Sequence, residues 1–353
     1  MKLVIRRVSP VDERQELLDL LQRNLGVSQE RVFEWRYKMN PAGSPWCWFA
    51  YDGNNGAAVA MTSLFPRRMY VDGKPLMCGQ VTHFVIDPAY RSLGPALLLQ
   101  RATFEPVDSG ELAFCYDCPP HDRGMSTFVR LGMKASCEVT RYTLLLRSDE
   151  FLDRRLGNRA WTKPLVAASN LALRMRSKAR LVHGLEISEH KGAFGEEFRV
   201  LDRRVPSSGM VRASRSPEEL DWRYQQDPAA AEGVDERGEY RVLVARKSEE
   251  LQAFLVLFFA PAAGVAHILD LFGVQLEETG AALVAAAVSV CHQRNLHSLY
   301  AFCSERSELE ALFRSSGFRP RERIARVVAY ESQGGKLLKQ DLHWPFGQVE
   351  VGL

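Results

Sequence analysis

VTHFVIDPAYRSLGPALLLQRATF, residues 81–104, is the stretch that decides the fold. It starts with β-branched and aromatic residues at 81–86, a pattern that predicts a strand. Asp87 and Pro88 end this strand, because proline cannot donate a hydrogen bond to a neighbouring strand. The apolar pattern at 96–102 then predicts a helix. The stretch therefore predicts a strand, a turn and a helix in succession.

The turn between this strand and this helix has the features of an anion-binding loop. Gly94 lets a ligand approach the backbone closely, and Pro95 suits the first turn of a helix. The first N–H groups of a helix have no partner within it, and Arg91 precedes them in the chain. The loop therefore predicts a phosphate site. The alternative is an ordinary strand–turn–helix with a solvent-exposed arginine.

These residues resemble motif A of the GNAT superfamily, the acyl-CoA N-acyltransferases. That motif runs from a strand through Pro-x-Tyr-Arg-x-x-Gly-x-Gly/Ala into a helix, and the matching residues are Pro88, Tyr90, Arg91, Gly94 and Ala96. The resemblance implies acetyl-CoA as the acyl donor, its pyrophosphate held by the loop and its pantetheine arm paired with the strand. The implied coenzyme-binding residues are Phe84, Val85, Ile86, Arg91, Ser92, Leu93, Gly94, Pro95 and Ala96. Pro95 departs from the pattern, since it removes one N–H from the loop.

The whole chain has the composition of an ordinary globular protein. Its 353 residues suggest two domains, and hydrophobic and charged contents of 46% and 25% are typical of folded proteins. A net charge of +3 gives no argument for nucleic acid. No run approaches the ~20 apolar residues that span a bilayer, and the N-terminus does not read as a signal peptide. Seven irregularly spaced cysteines favour a reduced, cytoplasmic protein.

The predicted elements around the motif follow the GNAT order. The expected strands are 3–5, 46–51, 57–65, 68–71, 81–86, 111–116 and 140–146, and the expected helices are 12–25, 96–102 and 122–131. The resemblance covers about residues 1–147.

The second half of the chain repeats landmarks of the first. Trp35-Arg36-Tyr37 recurs as Trp222-Arg223-Tyr224, 187 positions later, and Phe128 and Gly132 recur as Phe313 and Gly317, 185 positions later. Two landmarks at nearly one offset predict a tandem duplication. The expected fold is α/β (α+β): two tandem GNAT-like folds, each with a mixed, mainly antiparallel sheet flanked by helices. The expected parts are a coenzyme-binding domain at 1–147, a basic helical linker at 148–194, a degenerate domain at 195–332 and a tail at 333–353.

The second copy lacks the loop signature. Its equivalent, residues 275–280, contains no arginine and carries Glu277 and Glu278 where a pyrophosphate would lie. Like charges repel, so we expect only the first half to bind coenzyme A.

Residues 154–180, between the copies, hold eight Lys or Arg and no acidic residue. Their apolar residues fall at helical spacing. A basic amphipathic helix of this kind can contact an anionic membrane surface. The alternative is a linker helix that packs its apolar stripe on the protein.

Acyl transfer requires a polarised thioester, a deprotonated acceptor and a stabilised leaving thiolate. The family often supplies the acid as a tyrosine four residues before the helix-ending glycine, but that position is Phe128 here. The catalytic candidates are therefore Tyr116, His83, Asp117 and His121. Each also has a structural interpretation, as a strand-end, core or helix-cap residue. Cys115 and Cys118 lack a second pair at zinc spacing, so we expect no metal site.

Two functions from different classes remain open at this stage. The first is an acyltransferase, with N-acetyl transfer to an amine or hydroxyl of a small or saccharide acceptor expected first. The repeated Trp-Arg-Tyr segments, which we expect to be structural, resemble those of tandem acetyltransferase-like proteins of polysaccharide biosynthesis. The second is an inactive, GNAT-like protein that binds acyl-CoA or a membrane-associated partner. A Fem-like aminoacyl transfer is disfavoured by the coenzyme loop.

Overall fold

The computed structural model describes residues 3–26, 28–149, 162–176, 184–228, 238–338 and 341–352. Within these residues, thirteen strands join one sheet: β1 Leu3–Val8, β2 Trp46–Asp52, β3 Ala58–Val71, β4 Lys74–Ile86, β5 Cys115–Asp117, β6 Ala135–Leu145, β7 Leu185–His190, β8 Val211–Ala213, β9 Glu239–Lys247, β10 Glu250–Ala260, β11 Val265–Gly273, β12 Ser298–Ser304 and β13 Arg319–Tyr330. The α-helices are α1 Arg14–Leu25, α2 Glu30–Phe33, α3 Leu93–Ala102, α4 Glu105–Asp108, α5 Asp122–Arg130, α6 Thr162–Arg176, α7 Glu196–Arg204, α8 Pro217–Tyr224, α9 Thr279–Gln293, α10 Glu308–Ser315 and α11 Gln348–Val351.

The sheet passes through both halves of the chain, and the halves exchange their last strands. The strand order is β1-β2-β3-β4-β5-β13-β6-β12-β11-β10-β9-β7, with β8 paired to β3. The final strand of the second half, β13, therefore lies beside β5 of the first half, while β6 of the first half lies beside β12. Most of these pairs are antiparallel, and β4–β5 and β11–β12 are parallel. This mixed, mainly antiparallel sheet confirms the predicted fold class.

Strand β3 corrects one predicted element. The sequence suggested two strands, 57–65 and 68–71, separated near Pro66, but β3 runs unbroken over fourteen residues. Strand β2 pairs with β3 only as far as Leu64, and β8 begins to pair at Met69. Pro66 thus lies where one side of β3 has no neighbouring strand, the position at which a sheet tolerates proline.

Strands β4 and β5 separate soon after they meet. Their parallel pairing comprises Gly79 with Cys115 and Gln80 with Tyr116. Beyond Gln80, β4 continues to Ile86 with β3 on one side, while β5 ends at Asp117 beside β13. The last residues of β4 therefore present an unpaired backbone edge toward β5.

The helices cover the sheet in a similar way in both halves. Helix α1 packs on β3 and β4, and α9 packs on β9, β10 and β11. The alanine-rich face of α9 joins the largest buried cluster, which includes Leu283, Ala287 and Val288. No described helix is long and apolar enough to cross a membrane.

The repeated Trp-Arg-Tyr segments meet where the two halves join. Trp35 lies in a single π-helical turn, Glu34–Lys38, and Trp222 lies in α8. Their rings stack with centroids 4.9 Å apart. The Trp35 indole N–H donates to the Trp222 carbonyl at 2.7 Å, and the Trp222 indole donates to the Trp35 carbonyl at 3.0 Å. These reciprocal contacts give the segments the structural role that their repetition predicted.

The C-terminal tail docks on the sheet at the same junction. Leu342, Trp344, Phe346 and Val349 join a buried cluster with Tyr116 and other strand residues. The carboxylate of Glu350 is buried and accepts from Arg215 at 2.5 Å, and Arg215 also pairs with Asp270. The tail therefore fills space where the two halves join.

Candidate active site

The anion-binding loop lies at the start of α3. Its Ser92 has extended backbone angles, and α3 begins at Leu93. The amides of Leu93 and Gly94 belong to the first turn of α3, where a helix supplies no acceptor for them. Pro95 has no N–H, and the Ala96 amide bonds to the Ser92 carbonyl at 3.5 Å. Two backbone donors therefore remain available to an anion at this helix end.

Arg91 is exposed beside these amides and is held in place by its own contacts. Its Nε donates to the carbonyl of Ile86 at 2.8 Å, and its Nη2 donates to the Asn24 side chain at 3.1 Å. The first bond joins the loop to the end of β4. The guanidinium is thus positioned at the opening between strand and helix, where it adds positive charge to the site.

The end of α1 contributes residues to this loop that the sequence analysis missed. Arg23 donates to the Asp87 carboxylate from Nε at 2.9 Å and from Nη2 at 3.0 Å, and Asn24 donates to the same carboxylate at 2.6 Å. Asp87 directly precedes Pro88 of the motif, so these hydrogen bonds join the C-terminal end of α1 to the start of the loop. Nothing in the local sequence of α1 marks Arg23 or Asn24, because only the fold brings them to residue 87.

Tyr90 of the motif has an anchoring contact. Its hydroxyl donates to the Asp52 carboxylate at the end of β2, at 2.6 Å. This hydrogen bond lowers the pKa of Asp52 and raises the pKa of Tyr90. The contact ties the 3-10 turn Pro88–Tyr90 to the sheet.

Strand β4 carries a bulge next to its unpaired edge. The register with β3 shifts between Met61 and Ser63, so that two residues of β4 oppose one of β3. His83 lies in this bulge with φ 53°, a left-handed conformation uncommon for residues other than glycine. Beyond the bulge, Val85 and Ile86 remain paired with β3.

Both imidazole nitrogens of His83 have protein partners. Arg36 donates to Nε2 at 2.9 Å, and Nδ1 is 2.7 Å from the Tyr37 hydroxyl. Because Nε2 accepts, Nδ1 carries the proton and donates to Tyr37. Burial, with Arg36 alongside, lowers the pKa of His83 to about 3. This arrangement favours a role in holding the bulge over a role as a base.

Tyr116 is enclosed by neighbouring strands and by the C-terminal tail. It is 1% exposed, and its hydroxyl is 3.1 Å from Arg67 Nη1 and 3.0 Å from the carbonyl of Glu350 in the tail. The guanidinium donates to the hydroxyl, and the acceptors for the hydroxyl proton are that carbonyl and Gln80 Oε1, which is 3.1 Å away. Burial raises the pKa of Tyr116 well above its ordinary value. These contacts favour a structural role.

Asp117 is the candidate with an acid–base character suited to neutral pH. It is the last residue of β5, partly exposed where β4 and β5 separate. Burial raises the pKa of Asp117 from 3.8 to about 7, although the amide of Cys118 donates to it at 2.6 Å. A carboxyl group tuned in this way can accept a proton near physiological pH.

His121 and Phe128 lie on the next helix. His121 is exposed and precedes α5, with its carbonyl accepting from Met125 at 3.2 Å. Phe128 is 3% exposed and packs with Met125 and Val328. The position where the family often has a tyrosine therefore belongs to the core here.

The equivalent loop of the second half uses its amides internally. Gln275 has φ 53°, and its carbonyl accepts from the amides of Glu278 and Thr279, both at 3.0 Å. The Gly280 amide bonds to the Leu276 carbonyl at 3.0 Å. The first turn of α9 thus lacks the backbone donors that α3 offers. Among the described residues, no group of three His, Cys, Asp or Glu side chains could hold a metal ion.

Comparisons with known proteins agree with this architecture. Residues 5–119 match the family model of the acetyltransferase (GNAT) domain. Similar folds include a probable N-acyltransferase from Enterococcus faecalis, with TM-score 0.65 and 12% identity over 93% of this chain and 72% of that one. Saccharomyces cerevisiae N-myristoyltransferase with bound myristoyl-CoA has TM-score 0.58 and 12% identity over 92% and 82% of the two chains.

A third similar structure has the same double architecture. It is a tandem GNAT protein from the clavulanic acid biosynthesis pathway, with TM-score 0.56 and 14% identity over 95% of this chain and 100% of that one. At such identities these structures establish the fold alone. No curated protein matches the chain in sequence.

Residues 5–119, which include the loop and the separated strands β4 and β5, therefore carry a GNAT acetyltransferase domain. The chain as a whole has the fold of tandem GNAT proteins.

Proposed function

We propose that this protein transfers an acetyl group directly from acetyl-CoA to an amine or hydroxyl group of a small or saccharide acceptor. The observation that carries the proposal is the opening between β4 and β5, with the anion-binding loop at its end. The donor site would comprise the edge of β4 at residues 84–86 and the loop at residues 91–96. The second half, whose loop lacks free donors, would not bind coenzyme A.

The donor site is supported by a match of chemistry at two points. The pyrophosphate of coenzyme A is an anion, and the amides of Leu93 and Gly94 with the Arg91 guanidinium are donors to anions. The pantetheine arm contains two amide groups, and the unpaired edge of β4 presents backbone donors and acceptors at strand spacing. Both features lie on consecutive segments of the chain, so one extended ligand can contact them together.

Calorimetric titration with acetyl-CoA tests the donor site. A methyl group added at Gly94 would meet no atom within 4 Å, so a side chain is tolerated there. We expect Gly94→Glu to weaken acetyl-CoA binding at least ~10-fold, about 1.4 kcal/mol, because its carboxylate repels the phosphates. Gly94→Gln, of nearly the same size but uncharged, is the matched control and should bind more tightly than the glutamate variant.

Two results would contradict this donor site. Equal affinity of all three proteins would mean that the coenzyme does not contact Gly94. No binding by the unaltered protein would remove acetyl-CoA as the donor and leave the proposal without its substrate.

The chemical step requires that a proton leave the acceptor. The acceptor nitrogen or oxygen attacks the thioester carbon, the C–S bond breaks, and the departing thiolate takes up a proton. We assign Asp117 as the base that removes the acceptor proton, since its carboxylate form becomes populated as the pH passes about 7. Tyr116, His83 and His121 remain alternatives, although the first two are committed to other partners. Positioning supplies much of the remaining rate enhancement, on the order of 7–11 kcal/mol.

The second candidate function is binding of acyl-CoA without turnover. It is favoured by Phe128, which is buried where the family often has an acidic tyrosine, and by the enclosed hydroxyl of Tyr116. Release of free coenzyme A from acetyl-CoA in the presence of an acceptor panel distinguishes the two functions. Sustained release identifies an enzyme, whereas tight binding without release identifies a binding protein.

Contact of residues 154–180 with an anionic membrane is a separate proposal. Of this segment the structure describes helix α6, on which Leu165 and Leu171 are 48% and 60% exposed. Exposed leucines on a basic helix favour adsorption to anionic lipid. We expect salt-sensitive sedimentation with vesicles that contain anionic phospholipid, and none with vesicles of neutral phospholipid.

A further inference from the structure

A cavity of about 430 Å³ lies in the second half, away from the anion-binding loop. It is bounded by the end of β6, one face of α9, the end of α10 and the start of β13. Leu173 of α6 forms part of its wall. Its volume is in the range of small-molecule sites, about 300–1,000 Å³. The cavity is therefore large enough to hold a ligand that the acyltransferase reaction does not require.

The wall of this cavity is largely aliphatic, with His292, Ser315 and Ser316 among its polar residues. The end of β6 contributes Leu144, the residue just after the strand contributes Leu146, and α9 contributes Val284, Ala285 and Val288. The α9 residues recur at intervals of three and four, so they form one continuous face along the helix. Such a surface suits an unbranched hydrocarbon chain.

The rim of the cavity is cationic. Arg319 and Arg321 line it and are both exposed, and no acidic residue does so. The arginines of β13 that form ion pairs with described residues are Arg323 and Arg326, so the two at the rim have no such partner there. A guanidinium without an internal carboxylate is suited to bind an anionic group on a ligand.

Thr143 is a further polar residue in the cavity lining. Thr143, 9% exposed, lines the cavity and lies opposite Arg319 in the pairing of β6 with β13. Its buried hydroxyl has no hydrogen-bond partner in the structure.

We propose that this cavity binds a single-chain fatty acid. The hydrocarbon chain lies along the leucines of β6 and the face of α9. The carboxylate lies at the rim with Arg319 and Arg321. The site is separate from the donor site, and the proposal does not depend on acetyl transfer.

Titration of the full-length protein with decanoate tests this proposal, with 1-decanol as a second probe of equal chain length. We expect Ala285→Phe, which fills the cavity, to weaken binding of both probes at least tenfold. We expect Arg319→Gln/Arg321→Gln to weaken binding of decanoate about tenfold and to leave binding of decanol within about twofold. The matched control is Arg130→Gln/Lys134→Gln, which removes the same charge at the equivalent helix end of the first half and should change neither.

Three outcomes would overturn the proposal. The first is no binding of decanoate by the unaltered protein at millimolar concentration. The second is unchanged decanoate binding in the Ala285→Phe protein, provided that its thermal unfolding shows it to be folded. The third is binding only to vesicles of phosphatidylcholine and phosphatidylglycerol, which would make the rim a membrane-contact surface.

Discussion

Asp117 combines two properties that rarely occur together in a carboxyl group. It lies at an opening of the sheet, and burial raises its pKa to about 7. A group with this pKa is divided between its acid and base forms at neutral pH. It can therefore accept a proton from an acceptor and return to its starting form when the coenzyme leaves.

The rate of acetyl transfer should depend on this carboxyl group. In the unaltered protein we expect kcat/KM to rise with pH and to level off above about 7, because only the carboxylate accepts a proton. Asp117→Asn should lower kcat by about 10²–10⁴-fold and remove this limb of the pH profile. Asp117→Glu, which retains a carboxyl group, should restore part of the rate. If Asp117→Asn still shows the rise of kcat/KM with pH, Asp117 is not the base.

The same group should make stability depend on pH. The folded state raises the pKa of Asp117 above its ordinary 3.8, so the folded protein favours the protonated form. Its contribution to the free energy of unfolding is then fully present below about pH 4 and is lost as the pH rises through about 7. Urea unfolding at several pH values should reveal this loss, and the difference between the unaltered protein and Asp117→Asn should diminish toward acid pH. A difference that does not vary with pH would contradict the assignment.

At the scale of elements, the paired Trp-Arg-Tyr turns hold the halves together. Each indole both stacks on the other and donates to the backbone of the opposite turn. Burying two aromatic rings and satisfying two carbonyls at one contact gives specificity as well as stability.

Loss of one ring should therefore be costly. We expect Trp35→Ala to lower the free energy of unfolding by about 3–5 kcal/mol. The substitution opens a cavity and removes both the ring stacking and the N–H donor of the Trp35 indole. Trp46 is the control, since it is only partly buried and its indole donates at 3.3 Å to an exposed Glu111. Chemical denaturation of both variants checks the prediction. A Trp35 variant no less stable than the Trp46 variant would show that the junction does not depend on this pair.

The elements also show what the sequence could and could not reveal. The strand–loop–helix at residues 81–104 was predictable, because period, proline and glycine positions are local properties. The bulge at His83 was not, since its left-handed angle depends on Arg36 and Tyr37 from a distant turn. The enclosure of Tyr116 was equally hidden, because the tail that covers it lies more than two hundred residues away. The contacts of Arg23 and Asn24 with Asp87 depend on the fold in the same way.

At the scale of the whole molecule, the two halves form one sheet. Each half begins its own set of strands, and each receives its last strand from the other. The tandem repeat was visible in the sequence through its two landmarks, but the exchange was not. Strands β6 and β13 have similar patterns, so the sequence does not specify which of them lies beside β5.

Separated halves should consequently fail to fold independently. We expect a fragment of residues 1–183 and one of residues 184–353 to be insoluble when each is produced alone, because each lacks the strand that covers its buried edge. Produced together, they should co-purify as a complex that binds acetyl-CoA. Soluble, cooperatively unfolding single fragments would contradict the interdependence inferred from the strand order.

The exchange of last strands also determines when, during translation, the first half can complete its sheet. The partner that β5 needs, β13, ends at Tyr330. At about 5–20 residues per second, the ribosome adds the residues between β6 and that point in roughly 10–40 seconds. Throughout that interval the sheet of the nascent first half lacks β13, the strand that pairs with β5. The first half can therefore complete its sheet only after translation has passed Tyr330.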